Sequence, residues 1–326
     1  MIRFFSESNP ISILLLFIMG ALVRIPYFIS PDIPELFSDA GYLFSLLHPK
    51  ILQLTVSFRW ISPAVAYLLI FIQGLYLNGF VNSQKLYGNT HSLYVFAYVL
   101  VTALVPQWNG LTPFLLVNMG MIFVFPKFND LFTKRNVQNE IFTLSVIISL
   151  CSLIYQPTLA YIMLLYIALL VLRPFKFSEW MIILIGFLLP YYLILVYDYV
   201  WDRWDQASLL VPSVKYHLPK LTRNPADLIA LIFLLIPLIS GLFIVQKYIV
   251  RILALQRKIW TINFYCLLIS AAIFLFAQNN GYDNLLLVMV PGVFYVTAFF
   301  YFPSVKFFPN VFVWLIVGFL LVRNFL

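Results

Sequence analysis

The chain has 326 residues, of which 63% are hydrophobic and 10% charged, with a formal net charge of +8. Soluble domains carry about 45–50% apolar and about 25% charged residues, so that class is excluded, and the mean hydropathy of +0.96 agrees. The basic residues stand singly in short polar segments, which excludes a nucleic-acid-binding face and fits the topology signals of a membrane protein.

Apolar runs recur along the whole length, and no segment between them reaches the roughly 50 residues that an independent soluble domain needs. Residues 1–326 therefore read as one integral membrane domain, all-α and polytopic. A hydrocarbon core of ~30 Å demands ~20 residues per span, and eleven spans are predicted. The first, Ile11–Ile29, follows Arg3 as a signal peptide would, but no small-residue cleavage site follows it, so it reads as an uncleaved span. A long polar loop, residues 30–60, leads to the second span, Ile61–Val81. Thr90–Val105 and Asn109–Phe125 are joined by the tight Pro106-Gln107-Trp108 turn. Ile141–Tyr155 and Thr158–Leu172 form a hairpin about Gln156-Pro157. Met181–Val200 carries Pro190 as a predicted kink. The second long loop, residues 201–225, precedes Ala226–Gln246, Thr261–Ala277, Leu285–Phe302 and Val311–Val322.

With a cytoplasmic N-terminus, twelve lysines and arginines fall on inner segments and seven on outer ones, six of those seven in the two long loops. The positive-inside rule then favours that orientation and places both loops outside. Eight of the twelve acids fall outside or at the outer boundary, as a solvated rim or as a site. Two inner segments look structural. Lys247–Trp260 has basic residues on one helical side and aliphatics on the other, in the manner of a helix lying in an anionic interface, or of a docking surface for a protein partner at the cytoplasmic face. Arg173–Trp180 carries aromatic headgroup-level anchors. Cys151 and Cys266 lie inside apolar runs and read as packing residues. No internal repeat of the kind transporters show is visible.

There is no glycine-rich phosphate loop, no His-Glu-x-x-His and no Gly-x-Ser-x-Gly. Polar chemistry is confined to the two outer loops. The first holds Asp32, Glu35, Asp39, Tyr42, His48 and Arg59, just after Arg24 within the first span. The second holds Arg203, Trp204, Lys215, His217 and Arg223. A boundary carboxylate can serve as general base to a hydroxyl, arginine and lysine can hold a phosphate, and tryptophan or tyrosine can stack on a sugar face. Set against this, loops at a water boundary are polar because they are wet, and Arg24 can snorkel outward from the end of its span. The sequence calls for no metal; a divalent cation is compatible with the acids but not required by them.

Arg24-Ile-Pro followed by Ser38-Asp39-Ala40-Gly41-Tyr42 resembles the start of the GT-C superfamily, multi-span glycosyltransferases that use polyprenyl-linked sugar donors at the outer face. The middle, Ala66 to Ile194, resembles that family's paired spans with tight outer turns. The resemblance implies that Asp39 is the catalytic acid, with Glu35 or Asp32 in support. It further implies a polyprenyl-linked sugar donor within the lipid. Arg24, Tyr42, Arg59, Arg203, Trp204, Lys215, His217 and Arg223 are then candidates for binding donor or acceptor. Two features depart from the family: Pro106-Gln107-Trp108-Asn109 carries no second acid, and no large C-terminal outer domain is present. The whole chain is also similar to a family of multi-span Bacteroidota proteins, a resemblance that implies no activity. The alternatives are a non-enzymatic scaffold subunit of an envelope-assembly or secretion complex, and a lipid or solute carrier.

Overall fold

The computed structural model describes residues 5, 10–29, 39–204, 208–210, 224–277, 282–303 and 307–325. Asp32, Glu35, Lys215, His217 and Arg223 lie outside the described residues. Among those described there are α-helices and short 3-10 turns but no strand. The helices are α1 (Pro10–Val23), α2 (Ile25–Ile29), α3 (Tyr42–Ser57), α4 (Ile61–Ser83), α5 (Leu93–Thr102), α6 (Pro113–Thr133) and α7 (Gln138–Ile154). They continue with α8 (Tyr161–Leu172), α9 (Phe177–Val200), α10 (Pro225–Tyr248), α11 (Ala254–Phe276), α12 (Leu286–Tyr301) and α13 (Phe307–Phe325).

Each predicted apolar run coincides with a helix, but six helical stretches have the length and hydropathy for a crossing: those of α4, α6, α9, α10, α11 and α12. The others are shorter. The first predicted span breaks at Arg24, because Pro26 has no N–H to donate and its ring crowds the preceding turn; α1 stops at Val23 and α2 resumes at Ile25. The third contracts to the ten residues of α5, about 15 Å of helix. All ten are buried, so α5 is enclosed by protein rather than by lipid. The expected interfacial helix over 247–260 is not one helix. Lys247 lies in the last turn of α10, Ile249–Arg251 form a 3-10 turn, and the chain re-enters as α11 at Ala254.

The core is built around α12, nearly every residue of which is buried. In lipid there is little hydrophobic force between helices, and interhelical hydrogen bonds, each about 0.6 kcal/mol on average, take a larger share of the work. Four side chains from other parts of the chain reach backbone carbonyls of α12. Asn118 Nδ2 donates to Leu286 O at 2.9 Å, Tyr94 Oη to Val290 O at 3.1 Å and Asn263 Nδ2 to Pro291 O at 3.1 Å. The Tyr87 hydroxyl donates to Phe294 O. On its other side Gly241 of α10 lies directly against the Tyr295 backbone, a crossing that any Cβ would block.

The two ends of the bundle differ in charge. At one end Lys127 and Lys134 converge on Glu140, Lys134 also bonds Asp130 at 3.1 Å, and Arg173 pairs with Glu179 at 3.5 Å. The other end holds Asp39, Asp198, Asp227 and Asp283. There Arg323 of α13 pairs with Asp227 of α10 and donates to Leu104 O at 3.0 Å.

Candidate functional site

The Asp39 segment is fixed by backbone pairing. Gly41 N donates to Ile154 O at 2.8 Å, and Gln156 N donates to Asp39 O at 3.1 Å. Between them Ala40 and Tyr155 form an isolated antiparallel bridge. Gly41 sits so close to the Leu153 carbonyl that a Cβ would overlap it. The predicted loop acid is therefore not on a wet rim: Asp39 is 2% exposed, seated on the turn between α7 and α8.

Around that turn the chain gathers polar groups from distant positions. The Tyr155 ring is buried against Phe114 at 4.8 Å. Its hydroxyl lies within electrostatic reach of the Asp39 and Asp283 carboxylates, with the Asn284 side chain beside it. Tyr155 Oη and Asn284 Oδ1 are both buried and have no hydrogen-bond partner among the described residues. Asp283 and Asn284 open the 3-10 turn into α12, and the neighbouring Tyr282 carbonyl accepts from Trp108 Nε1 at 3.0 Å. The Pro106–Asn109 turn thus contributes an anchor, Trp108, and the second acid near Tyr155 is Asp283.

A second polar group lies three residues along. Tyr42, at the start of α3, donates its hydroxyl to Asp198 Oδ1 at 2.6 Å. Burial, followed by the Asp198 hydrogen bond and charge, pushes the Tyr42 phenol up to about 12, while nearby Arg203 acts in the opposite sense. Asp198 is fully buried in the last turn of α9, and its Oδ2 has no partner among the described residues. That helix closes on itself: Asp202 takes a left-handed φ of 54°, and Arg203 N returns to Asp198 O at 2.8 Å, a C-terminal closure normally given to glycine or asparagine. Gln156 Nε2 donates to Leu209 O at 2.9 Å, and Leu210 packs on Tyr42 and Leu153. So the described part of the second loop does reach the first.

The other predicted residues divide. Arg203, Trp204 and Arg59 are all exposed; Arg203 lies near Asp198 and Tyr42, and Arg59 is in the turn between α3 and α4. Arg24 does not snorkel. It is 2% exposed, with Nε on Asn109 Oδ1 at 2.8 Å, Nη1 on Gly20 O at 3.2 Å, and Nη2 on Val99 O at 3.1 Å and Thr102 Oγ1 at 2.9 Å. Its face lies over Tyr67, 5.0 Å from the ring centre. It is a strut between α1 and α5.

Asp198, Tyr155, Asp283 and Asn284 were not among the predicted site residues. Asp198 carried a signal, an ionisable residue closing an apolar run; the other three did not, since nothing local marks turn residues that meet only in the fold. Among the described residues no three His, Cys, Asp or Glu side chains gather as a metal site. Comparison with family models, with characterised proteins and with solved structures returns no match.

Proposed function

We propose that the chain is a GT-C-like membrane glycosyltransferase that moves a sugar from a polyprenyl-linked donor to a hydroxyl at the outer face of a bacterial inner membrane. In this reading eleven helices form the membrane domain, the N-terminus is cytoplasmic, and the Asp39 end faces outward. The observation that carries the proposal is the burial of Asp39 on a backbone-paired turn, beside Tyr155, Asp283 and Asn284. Buried carboxylates with a neighbouring acid are the setting in which general bases are found.

In the reaction the acceptor oxygen forms a bond to the anomeric carbon, and Asp39 takes its proton. The bond from that carbon to the phosphate oxygen breaks, and the electron pair leaves with the polyprenyl phosphate. Tyr155 and Asn284 form the polar surroundings of the Asp39 carboxylate. Arg59, with Lys215 and Arg223 beyond the described residues, are the cations for the leaving phosphate. The test is transfer of label from a polyprenyl-phosphate sugar by purified protein in lipid. Asp39→Asn abolishes transfer and leaves membrane abundance unchanged; an unimpaired variant sinks the assignment.

A scaffold role draws on one feature at the opposite end. Val250 and Leu253 stand 74% and 72% exposed in the corner between α10 and α11, beside Arg251 and Arg257. A stoichiometric partner that co-purifies and is lost when Arg251, Arg257 and Lys258 are neutralised supports that role.

A further inference from the structure

Tyr42, Tyr197, Asp198 and Arg203 form a compact group at the end of α9. Tyr42 bonds Asp198, the Arg203 backbone bonds Asp198, and the Arg203 guanidinium lies over the Tyr197 ring, 6.0 Å from its centre. Asp198 Oδ2 is the one carboxylate oxygen among the described residues that is buried with no hydrogen-bond partner. A buried carboxylate oxygen left open is costly unless something completes it. The geometry leaves that place to a hydrogen-bond donor that is not part of the described chain.

The neighbours limit what the donor can be. Arg203 alone would invite an anion, but the Asp198 carboxylate in the same group repels one. Asp198 alone would invite a cation, and Arg203 opposes that. A neutral ligand that both donates and accepts satisfies the pair. The rings beside them restrict it further: Tyr197 and Trp201 pair at 6.2 Å and Tyr199 and Trp204 at 5.8 Å, with Trp201 62% and Trp204 54% exposed. Aromatic faces next to a carboxylate suit a ring that is apolar on its faces and hydroxylated at its rim.

We infer that the end of α9 is a saccharide-binding subsite, in which Asp198 Oδ2 accepts a sugar hydroxyl and the ring rests on the exposed Tyr197–Trp201 pair. It is separate from the Asp39 turn, and joined to it through Tyr42 and the Gln156–Leu209 bond. In the transferase reading this saccharide is the acceptor. The inference rests on that reading only for the name acceptor, not for the binding.

The test uses the full chain in lipid nanodiscs, titrated with neutral trisaccharides (maltotriose, mannotriose and chitotriose) while tryptophan fluorescence is followed. At least one gives a saturable change. Asp198→Asn, which keeps an oxygen for Tyr42, weakens binding by about tenfold or more, the loss of one charge-assisted hydrogen bond. Trp201→Ala, at an exposed position, weakens it without lowering the melting temperature. If none of the three sugars binds, if Asp198→Asn binds unchanged, or if inorganic phosphate displaces the sugar in an Arg203-dependent way, the subsite is overturned. Binding without transfer to any acceptor refutes the transferase reading and leaves the subsite standing. Transfer without Asp198-dependent binding does the reverse.

Discussion

Gly41 and Ile154 are joined by a 2.8 Å hydrogen bond from the glycine amide to the isoleucine carbonyl. That one contact brings residues more than a hundred positions apart into register and sets where Asp39 sits. It depends on the absence of a side chain at position 41, since the Leu153 carbonyl fills the space.

Gly41→Ala is therefore expected to push the Asp39 segment off the turn. Overpacking of this kind costs about 1–3 kcal/mol. A fall in melting temperature together with loss of sugar transfer is the expected result. Wild-type values for both would show that the close approach is not needed.

Arg24 is predicted to act on stability and not on donor affinity. Arg24→Met leaves Asn109, Thr102 and two carbonyls without their donors and costs about 3 kcal/mol or more. Arg24→Lys recovers only part of this, because one ammonium cannot reach all four acceptors of the planar fork. The measurement is detergent-extracted monomer and its melting temperature. A variant that folds normally but binds a polyprenyl phosphate poorly would restore the phosphate role suggested by the sequence.

The eleven apolar runs were legible because hydrocarbon leaves a strong compositional mark; Asp39 stood out in a proline-flanked loop beside an intramembrane arginine, but its burial on the α7–α8 turn was not legible. The fate of Arg24 was not legible: snorkelling and burial look alike in sequence until α5 is known to lie beside α1. The same holds for Asp283 and Tyr155, which meet only because α7 and α12 share one end. The enclosure of α5 was equally hidden, since it is as apolar as a lipid-facing helix yet is covered on all sides by protein.

His91 gives a pH dependence. It lies in the turn between α4 and α5, fully buried against Tyr87 and Tyr301 at 5.1 Å each, with neither ring nitrogen bonded among the described residues. Burial lowers its pKa from 6.5 to about 4. The unfolded chain takes up the proton first as pH falls, so stability is full above about pH 6.5 and declines toward pH 4. The total loss is about 3 kcal/mol. His91→Phe should flatten the melting-temperature profile between pH 7 and 4.5; an unchanged slope would assign the dependence to other groups.

Asp227 and Arg323 should behave as a coupled pair. Their side chains are 8% and 11% exposed, and removing one partner of a buried pair costs about 3–5 kcal/mol. Asp227→Asn with Arg323→Gln is expected to cost at least about 1 kcal/mol less than the two single changes together, read from denaturation of the four proteins. Strict additivity would mean the two ends of α10 and α13 are held by packing alone.

The shortness of α5 bears on how the protein is made. A ten-residue helix cannot stand as a span of its own in a bilayer about 30 Å thick, so it has no stable place in the membrane before its neighbours arrive. Its entry has to be shared with α4 and α6, whose lengths are sufficient, and the carbonyl-seeking hydroxyl of Tyr94 waits for α12, almost two hundred residues later in synthesis. The early helices therefore gain their full set of partners only once α12 has been made.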